Sequence, residues 1–256
     1  MSFNQKALSA FKKLGAAALI IATLAVFFVA CKQTSGGGGG GKQGAPFVEG
    51  GASLILSPDT LNIKVEAKTA DGSDIAVEGC AETTLKSDVW TELHAKGTTV
   101  TLKGKITELN CSDNKLTELN VQGLTALQKL DCFYNELTEL NVQDLTKLQV
   151  LHCYYNKLTE LNVQGLTSLQ VLYCDRNKLN VEAMTKLLNA LPAREASDDA
   201  KAILYNEGTS EVEGNCKDFT QSEDLKKAFD EAKGTKHWAL KKYRYSIYSG
   251  WSEVDI

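Results

Sequence analysis

The sequence predicts a solenoid: a stack of four 21-residue coils, each laying one short parallel strand beside the next. Three observations predict it. Cysteines recur at 111, 132, 153 and 174, asparagines at 114, 135, 156 and 177, and leucines at 116, 137, 158 and 179. Leu109, Leu130, Leu151 and Leu172 each stand two residues before a cysteine. A fixed period of this length marks stacked repeats, in which each unit buries its apolar side only against its neighbours. With 43% hydrophobic residues in 256 and a formal charge of -4, the chain has material for one sizeable core and no global bias towards nucleic acid.

The N-terminus is an export segment. Lys6, Lys12 and Lys13 precede a run from Leu14 to Val29 that is apolar or small apart from Thr23. This is the pattern of a secretory signal, and the run falls short of the ~20 residues of a membrane span. It ends in Phe28-Val29-Ala30-Cys31, which resembles a bacterial lipobox. Ala30 fits the small position, and Phe28 stands where leucine is usual, as in the looser boxes of spirochaete-type lipoproteins. The resemblance implies a lipoprotein signal peptide over 1–30 and lipidation of Cys31. It also implies an exported chain held at the outer membrane or cell surface, with the periplasmic leaflet as the alternative. Residues 31–52 read as a tether, because six consecutive glycines, Gly36 to Gly41, cannot bury a core. Such a coil has an r.m.s. reach of about 25 Å.

The repeat itself reads L-x-x-L-x-C-x-x-N-x-L-T-E-L-N-V-Q-x-L-T-x over 106–191. Its first eleven positions resemble the leucine-rich repeat, with cysteine at the third apolar position. The unit as a whole resembles the short, 21-residue subclass of bacterial surface lipoproteins of spirochaete and Bacteroides type. The resemblance implies an α/β-type horseshoe arc with its parallel strands on the concave face. The ten residues returning along the other side leave room for short strands or turns and none for a long helix.

A stack needs ends that shield its core. Residues 53–105 are expected to form a β-rich N-terminal cap, with strands at Leu61–Val65, Ile75–Val77 and Thr98–Leu102. Residues 192–256 are expected to complete a C-terminal cap of helix-strand-helix type, followed by a tail. A helix over 181–191 has Asn180 as its N-cap and Met184, Leu187, Leu188 and Leu191 on one stripe. A parallel strand follows at Ala202–Tyr205. A second helix runs from Glu223 to Lys233 between Ser222 and Gly234, and a closing strand lies at Trp238–Leu240. The basic and aromatic tail from Lys241 to Tyr245 alternates in polarity, which favours a terminal strand. Cys80 and Cys216 fall in opposite caps, so they are expected to be free thiols.

Within each L-x-C segment the leucine and cysteine point inward and the residue between points outward. The cysteines are therefore core, and the asparagines are structural, satisfying backbone groups at the turn after each strand. Function belongs where the repetition breaks, at Lys129, Asp131, Phe133, Tyr134, His152, Tyr154, Tyr155, Tyr173, Asp175 and Arg176. Aromatics of this kind anchor protein interfaces, or they stack across strands for ~0.2–1 kcal/mol per pair. Cys153 and His152 cannot form a catalytic dyad, because adjacent strand residues face opposite ways. No catalytic motif, metal-ligand pattern or cofactor loop is present. The expectation is a non-catalytic, membrane-anchored chain that binds a protein, from a host or from the bacterium, and adheres through it. The alternative is a periplasm-facing envelope scaffold that binds another bacterial component.

Overall fold

A computed structural model describes residues 44–207, 213–246 and 250–256. The expected signal peptide, Cys31 and most of the expected tether lie outside the described residues. The chain is β-rich, with one mixed sheet, one antiparallel sheet and two α-helices among the described residues.

The repeat gives β7 (Ile106–Asn110), β9 (Lys129–Asp131), β10 (Val150–His152) and β11 (Val171–Tyr173), which pair in parallel in that order. The register is set by the sequence period: Leu109, Leu130, Leu151 and Leu172 stand opposite one another. All four are fully or almost fully buried, as are the four cysteines two residues on. The parallel run continues through β12 (Lys201–Asn206) to β13 (Ala239–Ser246). It ends in β14 (Gly250–Asp255), antiparallel to β13. At the other end β2 (Asn62–Thr69) pairs antiparallel with β7 and with β5 (Thr91–His94). The result is a nine-stranded sheet, ordered β14-β13-β12-β11-β10-β9-β7-β2-β5. It is parallel in the middle and antiparallel at both ends, so the expected parallel strands are joined by antiparallel cap strands.

The second sheet, ordered β4-β3-β6-β1-β8, joins the N-terminal segment to the far side of the first repeat. Its strands are β1 (Gly51–Leu56), β3 (Ile75–Glu78), β4 (Thr84–Leu85), β6 (Thr99–Lys103) and β8 (Leu116–Asn120). β1 lies between β6 and β8, which explains why nearly every residue of Gly-Ala-Ser-Leu-Ile-Leu is buried. The packed region thus begins earlier than the expected boundary at residue 53. Asn120 Nδ2 already donates to the Ala45 carbonyl at 3.0 Å, and Ser53 Oγ donates to that of Pro46. Only the first coil carries a full strand on this side. In the second coil, contact shrinks to a single bridge between Asn120 and Asn141.

The C-terminal elements follow the expected order. Helix α1 (Val181–Ala190) is capped by Asn180, whose side chain accepts from Ala183 N. Helix α2 (Glu223–Gly234) is capped by Ser222 in the same way. Lys236 Nζ donates to the Leu188 and Asn189 carbonyls at the end of α1, and the buried Trp238 indole donates to the Pro192 carbonyl. The basic-aromatic tail forms β13 and β14. Cys80 and Cys216 are buried free thiols.

Candidate functional site

After each of β9, β10 and β11 the chain turns sharply, and an asparagine holds the turn. Asn156 is representative: Nδ2 donates to the carbonyls of Cys132 and Cys153, and Oδ1 accepts from Leu137 N. Asn135 and Asn177 repeat the pattern. A fifth rung comes from Asn215, which bonds Cys174, Leu204 and Leu179 in the same way. It stands 38 residues after Asn177 (215 − 177), so the 21-residue period gave no signal for it.

This turn places the residue before each repeat asparagine in the left-handed region. Asp113, Tyr134, Tyr155 and Arg176 have φ of 55°, 52°, 52° and 53°. Non-glycine residues there cost ~1–2 kcal/mol, and the buried asparagine bonds offset the strain. The reward is geometric: equivalent side chains emerge at one height and meet. Tyr134 and Tyr155 stack with centroids 4.0 Å apart, and the Arg176 guanidinium lies 4.2 Å from the Tyr155 centroid. One position earlier in each coil, Phe133 and Tyr154 stack at 4.6 Å, 5° from parallel. On the strands themselves the His152 and Tyr173 rings sit at 4.5 Å. The three rows touch one another edge to face, through Phe133–Tyr134, Tyr134–Tyr154 and His152–Tyr154. The structure therefore brings the predicted aromatic residues into one contiguous patch.

The charged positions fall differently. Asp131 and Asp175 were expected among the displayed residues and are instead buried, at 5% and 0% exposure. Alternation gives the side of a strand, whereas depth depends on the neighbours, and here His152, Lys129 and Arg176 lie against them. Asp131 Oδ1 bonds His152 Nδ1 at 2.7 Å, and Oδ2 pairs with Lys129 at 2.9 Å. Burial pushes this carboxyl up, but the bonds from His152 and Lys129 outweigh burial and hold it below the usual range. It stays ionised and fixes the His152 ring. Burial, then the charge of Glu213, pushes Asp175 up to about 7, with Arg176 opposing. Burial also raises the Tyr154 and Tyr173 hydroxyls, so both remain protonated donors. The Tyr173 hydroxyl donates a hydrogen bond to Glu253 at 2.6 Å.

Beneath the patch the cysteine thiols are wholly buried, and desolvation pushes Cys111 up to about 12. Among the described residues no group of three or more histidine, cysteine or carboxylate side chains is placed to hold a metal.

No family model matches the chain, and no curated protein matches it. Among solved structures it is similar to the functional domain of InlJ from Listeria monocytogenes, described as including a cysteine ladder. The identity is 34% over 39% of this chain, with a TM-score of 0.32, and the match spans 20% of that chain's length.

Proposed function

We propose that residues 106–191 form a leucine-rich repeat solenoid of four coils whose aromatic face binds a protein partner. In this reading the chain is a non-catalytic, exported lipoprotein held at the membrane through Cys31. The observation that carries it is the contiguous patch of Phe133, Tyr134, Tyr154, Tyr155, Tyr173 and His152. The inward leucines, cysteines and asparagines repeat from coil to coil, as packing demands. The outward positions vary along the stack, from Ser112 and Asp113 through the rings of the second and third coils to Asp175 and Arg176.

The way the rings are arranged favours a protein over a sugar. A sugar packs against an open ring face, but here the faces of Phe133 against Tyr154, and of Tyr134 against Tyr155, cover each other. The Tyr134 side chain stays exposed on this face, with the half-exposed Lys129 beside it. Rings, hydroxyls and an ammonium together suit the mixed apolar and carbonyl surface of a protein. Asp131 and Asp175 serve here as buried supports, with His152 and Arg176 as the groups they position.

The test is a binding screen of purified 42–256 against extracellular-matrix, serum and bacterial-envelope proteins, with F133S/Y154S/Y173S alongside. For any partner found, the triple variant should weaken binding at least ~100-fold while keeping the wild-type circular dichroism. Retained affinity in a folded variant refutes the surface. Anchoring is tested separately. C31A should no longer partition into detergent with the lipoproteins, and protease shaving of intact cells reports whether the chain faces outward.

A further inference from the structure

We propose that β13 and β14 form a pH-sensed cover over the C-terminal end of the aromatic face, held shut in acidic solution and loosened as the pH rises to neutrality. In a flat sheet β14 would lie about 14 Å from β11, three strands away. Yet Glu253 of β14 accepts the Tyr173 hydroxyl at 2.6 Å and both its oxygens bond Lys201 Nζ at 3.0 Å. Tyr243 of β13 meets the Tyr173 ring edge-on at 6.2 Å. Side chains of the edge strands thus reach back across the face of the sheet to β11 and β12. A second contact lies beside the first: the Arg176 guanidinium sits 5.1 Å from the Trp251 ring and 4.2 Å from that of Tyr155.

Asp175 lies beneath these contacts with no exposed surface. Its Oδ1 has no hydrogen-bond partner among the described residues, and Oδ2 is 3.5 Å from Arg176 Nη1. The titratable groups facing it are Tyr173, Cys174 and Arg176 on its own coil, Cys153 and Tyr154 on the third, Glu213 before Asn215, and Tyr243 on β13. Glu213 already accepts from the backbone amides of Arg176, Asn206 and Asn215. A charge on Asp175 is thus poorly compensated while the cover is closed, and water would solvate it if the cover opened.

The sign follows from the direction of each shift. Asp175 is raised from 3.8 to about 7 by burial and by Glu213. Its contribution to closure is full below pH 3.8 and is lost progressively up to about pH 7. Glu213, raised by burial, acts in the same direction. Glu253 acts oppositely. Burial opposes its charge, but the bonds from Tyr173 and Lys201 hold it below its ordinary 4.5, so its contribution is present above that value and lost in acid. Between pH 5 and about 7 Asp175 therefore favours progressive loosening, and above that its effect is constant.

The cover bears on the proposed contact face, since Tyr173 and Arg176 lie under it, but its test needs no partner. Hydrogen exchange of the full chain is measured at pH 5 and pH 8 and corrected for intrinsic rates. If opening returns Asp175 to its ordinary value, protection of the β13 and β14 amides should fall by up to roughly 100-fold, while β9 and β10 stay unchanged. D175N should remain protected at both pH values. A fall below about threefold overturns the proposal. So does an equal fall in D175N, or a fall abolished by H152N, which would place the effect one rung away.

Discussion

Asn156 bonds on three sides inside the stack, to the carbonyls of Cys132 and Cys153 and to the amide of Leu137. Alanine there would strand an amide and two carbonyls in a dry interior, each costing about 1–3 kcal/mol. N156A should therefore lose about 3–5 kcal/mol in a urea titration, and N156D should recover little, because a carboxylate cannot donate to the two carbonyls. A loss under 1 kcal/mol would mean that water takes over the asparagine's bonds. The cysteines carry a second residue-scale expectation. Desolvation holds Cys111, Cys132, Cys153 and Cys174 protonated, and the thiolate is the reactive form. Native chain should therefore leave these four unlabelled by an alkylating reagent that reaches them all in denaturant, and prompt native labelling would contradict core packing. These ladders were legible in the sequence because each repeats one residue type at one spacing. The burial of Asp131 and Asp175 was not, since it depends on which side chains of other coils close over them.

At the scale of elements, the three equivalent turns at Gly123, Asp144 and Gly165 form an internal comparison. Asp144 and Gly165 are left-handed, at φ 68° and 84°, and Gly165 has open space around it. Since Asp144 already holds a side chain in that conformation, G165A should cost only ~1 kcal/mol. Gly123 differs. The N-terminal segment presses on it, and a Cβ there would collide with the Val48 carbonyl oxygen and approach that of Gly51 at 2.7 Å. Backbone on both sides cannot yield cheaply, so G123A should cost more than about 3 kcal/mol. Equal melting shifts for the two variants would mean that the segment before β1 is not seated on the first coil. The same contact explains what the sequence concealed. Helix α1, helix α2 and the parallel strands announced themselves by caps and periodicity. β1 did not, because it is a short central strand with no clear alternation, joined to a glycine-rich stretch that composition reads as linker.

Over the whole molecule, the question is whether the N-terminal segment folds as a separate unit or as the first layer of the stack. In a purely repetitive array each unit touches only its neighbours, and stability is a sum of local terms. Here β2 joins the repeat sheet through β7, while β1 joins the far side of the first coil through β8. The first coil is thus clamped on both sides, and one continuous buried cluster runs from Ala52 to Leu240. That continuity predicts a single cooperative transition. Leu102 of β6 is fully buried in the N-terminal sheet, so L102A should cost about 2–5 kcal/mol. If the molecule is one cooperative body, the loss will appear equally at its other end. The denaturant midpoint from the far-UV helical signal, which comes from α1 and α2 among the described residues, should move by the same amount as the midpoint for exchange of β6 amides. If the midpoints separate, the N-terminal layer unfolds on its own, and the clamp from β1 and β2 onto the first coil is too weak to couple it to the repeats.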